Sequence, residues 1–82
     1  MIKVCFFANL RERLQCSELF VDGFSGGKIQ DLLAHIIELN PKWSELLASK
    51  NILISHNLVM ASLDTQLQPG DEVAFFPPVT GG

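Results

Sequence analysis

The residues of this sequence best placed to do chemistry are its last six, Pro77-Pro78-Val79-Thr80-Gly81-Gly82, which follow the apolar run Val73-Ala74-Phe75-Phe76. Two consecutive prolines fix φ and withhold backbone donors, so a strand ending at Phe76 is not continued and the chain leaves as an extended, semi-rigid tail. At about 3.3 Å per residue that tail reaches roughly 20 Å. Neither Gly81 nor Gly82 carries a side chain, so the terminal carboxylate can enter a narrow channel and adopt backbone angles closed to other residues. A double glycine alone is also an ordinary floppy end. The rigid Pro-Pro launch is what a frayed terminus does not need.

Other chemistry-bearing residues are weaker candidates. Cys5 and Cys16 form no CxxC spacing and read as free thiols in a reducing compartment. His35, within the expected helix, and His56, at the end of a strand, read as structural or surface histidines, so no metal site is expected. Gly26-Gly27-Lys28 lacks both the first glycine of a phosphate loop and the Ser or Thr after the lysine, and reads as a linker.

The elements that must position the tail follow from pattern. Ile2 to Phe7 alternates Ile2, Val4, Phe6 against Lys3, Cys5, Phe7, a strand. Asn9 to Cys16 is polar and reads as a long hairpin loop leading into a second strand, Ser17 to Val21. After Asp22-Gly23 and Gly26-Gly27 the period changes. Ile29, Leu32, Leu33, Ile36 and Ile37 mark one face of a helix that stops near Asn40-Pro41, and the segment Phe24 to Lys28 puts no N-cap hydroxyl at the helix start. Asn40 suits an N-cap and Pro41 a first helical position, which predicts a short second helix over Pro41 to Ser49, with Trp43, Leu46 and Leu47 buried. Strands are expected at Ile52 to His56, Leu58 to Ser62 and Glu72 to Phe76. The last follows a Gln68-Pro69-Gly70-Asp71 turn whose Pro-Gly centre suits type II geometry. One sheet covered on one face by a helix is the simplest packing, an α+β domain over residues 1–76 with residues 77–82 as its tail.

Composition bounds the rest. Eighty-two residues allow a single domain, and 48% hydrophobic against 18% charged residues describe a folded globule. Six Lys and Arg against nine Asp and Glu give a net charge of −3, which leaves no basic footprint for nucleic acid. No apolar run approaches the roughly 18 residues of a membrane span, and nothing at the N-terminus has the length of a signal peptide. A soluble, cytosolic protein is expected.

Read together, Gly70-Asp71-Glu72-Val73-Ala74-Phe75-Phe76-Pro77-Pro78-Val79-Thr80-Gly81-Gly82, the opening Met1-Ile2-Lys3-Val4-Cys5-Phe6-Phe7-Ala8, and Arg11-Glu12 resemble the small (sulfur carrier) subunit family of molybdopterin synthase. The resemblance spans the chain and is loosest in the helical middle. Pro69 stands where that family often has an acidic residue, and His56 where a small apolar residue is common. It implies the ubiquitin-like β-grasp fold. It also implies that the Gly82 carboxylate, with Gly81, is adenylated by an ATP-using enzyme similar to those that activate ubiquitin. A persulfide donor then turns it into a thiocarboxylate. The chemical logic is general, since acyl-adenylate formation gives a poor electrophile a good leaving group. The thiocarboxylate would pass its sulfur to cyclic pyranopterin monophosphate in the active site of the large subunit, building the dithiolene. No cofactor would be bound by this chain. The complex would be a heterotetramer of two large and two small subunits.

The same alternation that sends Ile2, Val4 and Phe6 inward puts Phe7 and Phe76 on the opposite side. The β-grasp fold sets the first and last strands side by side, so both rings would share an exposed face at the tail's root, a partner site or ordinary sheet packing. The resemblance adds Met60 as an apolar contact on that face and Arg11 as a pairing group. It makes Pro77, Pro78, Val79 and Thr80 the segment that threads into the partner. Two other readings stand beside this one: a sulfur carrier for another pathway such as thiamine synthesis, or a ubiquitin-like protein modifier or interaction module.

Overall fold

A computed structural model describes residues 1–24, 27–48 and 51–77. The expected tail beyond Pro77, and with it Pro78, Val79, Thr80, Gly81 and Gly82, lies outside the described residues.

Strand β1 (Ile2–Phe6) is followed by helix α1 (Ala8–Leu14), strand β2 (Glu18–Val21) and helix α2 (Ile29–Leu39). A 3-10 turn (Pro41–Trp43) then leads into helix α3 (Ser44–Leu47), and strands β3 (Leu53–His56), β4 (Val59–Ala61) and β5 (Glu72–Phe76) complete the fold. The strands form one mixed sheet in the order β2-β1-β5-β3-β4. β1 pairs antiparallel with β2 and parallel with β5, so the chain's first and last strands are neighbours at its centre. β3 pairs antiparallel with both β5 and β4.

One face of the sheet is the core. Ile2, Val4 and Phe6 of β1, Val73 and Phe75 of β5 and Ile54 of β3 meet Ile29, Leu32 and Ile36 of α2. Phe6 stacks on Phe75 at 5.9 Å between centroids and meets the edge of the Trp43 ring at 5.6 Å. Leu33 and Ile37, on the flank of the α2 stripe, are half-buried.

Four expectations need correction. Asn9 to Cys16 is not a loop: residues 8–14 form α1, held because Leu10 and Leu14, one helical turn apart, are buried in the core. The strand expected through Phe7 ends at Phe6, because Phe7 becomes the N-cap of α1. Pro41 to Ser49 divides into a 3-10 turn and one turn of α-helix, with only Leu47 fully buried. Both later strands are shorter than predicted, starting at Leu53 and at Val59.

The start of α2 shows why it needs no cap hydroxyl. Its free N–H groups donate to the loop that leads from β4 towards β5, Ile29 to the Thr65 carbonyl and Gln30 to that of Leu63, at 2.9 and 3.0 Å. Asp31 reaches back to accept the Lys28 N–H at 2.9 Å. A Cβ at Gly27, just before it, would lie 2.8 Å from the tip of the Phe24 ring, so a side chain there would make that ring shift.

Candidate functional site

Among the described residues no helix covers the other face of the sheet. Register places Cys5, Ala74, Ser55 and Met60 in one row across β1, β5, β3 and β4. In the next row Phe76 lies opposite Leu53, and Phe7 stacks on Phe76 with centroids 4.8 Å apart and planes within 9°. The stack is pinned by the backbone, as the Phe7 N–H donates to the Phe75 carbonyl at 3.2 Å. Phe7 is 41% exposed, Leu53 37% and Met60 64%, whereas the small residues between them are buried. The result is an apolar platform with large side chains at its margins and Pro77 leaving directly from the Phe76 end.

Arg11 sits on α1, which starts immediately after Phe7, and its N–H donates to the Phe7 carbonyl at 3.3 Å. Arg11 and Glu12 are exposed. Sequence reasoning put Phe7, Phe76, Met60 and Arg11 near this surface but missed Leu53. Its signal was the alternation within Leu53-Ile54-Ser55, which sends Ile54 into the core and its neighbours outward.

Electrostatics add no nucleophile. Burial pushes the Cys5 thiol up, the nearby Glu72 and Glu18 carboxylates push it further, and Lys3 opposes them. A thiol held protonated is a poor nucleophile. Cys16 is raised for the same first reason. At the far end of β3 a polar cluster ties the β3–β4 turn to the start of β5. Asp71 accepts from His56 Nε2 at 2.7 Å, from the Gln68 N–H at 2.9 Å and from Asn57 Nδ2 at 3.2 Å. Asn57 Oδ1 in turn accepts the Glu72 N–H at 2.9 Å. The His56 bond above all holds the Asp71 carboxyl below its ordinary range. Among the described residues no group of three or more His, Cys, Asp or Glu is arranged to hold a metal. A groove of about 470 Å³ between α2, α3 and β3 is lined by apolar residues with only Gln30 and Ser62 as polar ones. The described part of the chain thus presents a surface and a launching point for a tail, without an acid–base or nucleophilic constellation.

The family model that matches residues 4–82 is that of the ThiS family. The chain belongs to the ThiS family. It is 39% identical over 84 residues to the molybdopterin synthase sulfur carrier subunit of Escherichia coli (strain K12), with all of both chains covered. The resemblance read from the C-terminal run is therefore borne out along the whole length. The fold is similar to that of SAMP1 from Haloferax volcanii, at TM-score 0.84 and 26% identity over 99% of this chain and 98% of that one. It is also similar to a chain in a protein–protein complex of subunits 1 and 2 of the molybdopterin-converting factor from Helicobacter pylori 26695. That match has TM-score 0.67 and 26% identity, covering 99% and 97%. The ubiquitin-like β-grasp reading is confirmed by these likenesses and by the parallel pairing of β1 with β5. Within the described residues of this ThiS-family chain no helix is long and apolar enough to cross a membrane.

Proposed function

We propose that this chain is the sulfur carrier subunit of a molybdopterin synthase, and that its reactive group is the Gly82 carboxylate. The observation that carries the reading is the stacked Phe7–Phe76 pair, Phe7 exposed and Phe76 half-buried, at the point where the Pro77 tail departs. A partner seated on that platform has the tail beside it, and Gly81-Gly82 is slim enough to enter a closed site. A ubiquitin-activating-like adenylyltransferase uses ATP to convert the carboxylate to an acyl-adenylate. A persulfide donor displaces AMP, and a second thiol cleaves the S–S bond of the acyl persulfide, leaving a thiocarboxylate on Gly82 and a disulfide on the donor. The large subunit then binds the platform through Phe7, Phe76 and Met60, with Arg11 at its rim, and draws in Pro77 to Gly82. There sulfur passes to cyclic pyranopterin monophosphate, in an assembly of two large and two small subunits in the cytoplasm. The chain holds no cofactor of its own in this scheme.

Intact mass spectrometry tests the chemistry. Incubation with ATP, the activating enzyme and a persulfide source is expected to exchange one oxygen for one sulfur, and the Gly82-deleted chain is expected to stay unchanged. An unchanged mass for the full chain, with an activating enzyme competent on a known carrier, overturns the proposal. The likeness to SAMP1, a small archaeal modifier protein, favours one second reading, in which Gly82 forms an isopeptide bond. Lysine-linked adducts in place of the thiocarboxylate distinguish it.

A further inference from the structure

The β3–β4 connection is a two-residue turn, Asn57-Leu58, closed by the His56–Val59 pair. Both residues have positive φ, 49° and 72°, the mark of a type I′ turn. Asn tolerates that region; a leucine does so at a steric cost, and its place is the one Gly fills most cheaply. Leu58 recovers little inside the chain, since it is 86% exposed. The surroundings enforce the conformation, with Asn57 bonded to Asp71 and Glu72, and His56 bonded to Asp71. Strained backbone held rigidly by its neighbours is the form that binding residues take. Val59 and Met60 follow at 67% and 64% exposure on opposite faces of the edge strand, Met60 on the helix-free face.

We infer that Leu58 is a docking anchor for the large subunit, inserting into an apolar pocket on that protein. The inference rests on the proposed function and extends its surface. Continuity selects the occupant: Met60 lies in register with Ser55, Ala74 and Cys5, which lead across the sheet to Phe7 and Phe76. A partner covering the tail root and Met60 reaches Leu58 by continuing to the end of the sheet opposite the tail. The rigid turn presents the anchor already ordered, so little conformational entropy is lost on binding.

The test separates stability from affinity with Leu58→Asn. Asn accepts positive φ, so the variant is expected to melt higher than the parent by about 2–6 °C. Its Kd for the isolated large subunit, measured by titration calorimetry, is expected to rise about tenfold. Phe76→Ala is measured alongside. Weakened binding by Phe76→Ala with unchanged binding by Leu58→Asn overturns the anchor and leaves the platform standing. If neither variant weakens binding, the platform reading falls as well. If Leu58→Asn instead abolishes self-association in sedimentation and leaves large-subunit affinity intact, the anchor serves a second copy and the inference is wrong.

Discussion

Replacing Phe7 with alanine probes the platform where its exposure is measurable. Phe7 leaves 41% of its surface open. Of roughly 200 Å² for a phenylalanine, about 80 Å² therefore remains for a partner to cover. At about 25 cal/mol per Å² that area contributes about 2 kcal/mol, or about thirtyfold in Kd. The substitution also removes the ring stacked on Phe76 at 4.8 Å. Loss of the aromatic pair costs the fold about 1 kcal/mol, and the roughly 120 Å² of Phe7 already covered adds about 2–3 kcal/mol, which together lower the melting temperature of a domain this size by about 12–32 °C. The core contacts of Phe6 and Phe75 are untouched, so the variant is expected to fold. Titration calorimetry against the large subunit, run well below the lowered melting temperature, reads the affinity. A cooperatively folded Phe7→Ala chain that binds within about threefold of the parent refutes the claim that this face docks.

Two further outcomes test the fold around the site. Asp71 is more acidic in the folded chain than in the unfolded one, through His56 first and then the Gln68 N–H and Asn57. It therefore favours the folded state above an unfolded value of about pH 4, and that gain disappears as pH falls through the lower folded value. Asp71→Asn is expected to cost about 1.5 kcal/mol near neutrality, about 6–12 °C in melting temperature, with the gap to the parent closing in acid; a gap constant from neutrality to about pH 2 contradicts this. Leu14→Ala removes one of the two side chains that hold α1 to the core and is expected to cost about 2–5 kcal/mol by urea denaturation. A loss under about 1 kcal/mol would mean that α1 is not anchored there.

Much of the architecture was legible because its signals are periodic. The five apolar positions from Ile29 to Ile37 declare α2, and the alternation in Ile2 to Phe6 declares both β1 and its two faces. Pro69-Gly70 announced its turn, and Gly70 has φ +90° as type II geometry requires. Helix α1 was not legible. Its seven residues include only Leu10 and Leu14 as buried anchors, set among Asn9, Arg11, Glu12 and Arg13. A helix so short is marginal by itself and forms because the sheet supplies a surface for those two leucines.

A side-chain-free Gly81-Gly82 behind two prolines, and an outward Phe7 and Phe76 given by strand alternation, can be read from the residues alone. These are local properties, set by covalent structure and by the two-residue repeat of a strand. The assembled sheet, in contrast, sets Phe7 on Phe76 rather than elsewhere, completes the same face with Leu53 and Met60, and brings His56 and Asn57 to Asp71 across fourteen or fifteen positions. It also decided that Leu58 is held at positive φ in solvent rather than spent in the core. Those facts depend on which strands pair and in what register, and pairing between distant segments is selected by burial of the whole core face at once, which no short window of residues contains.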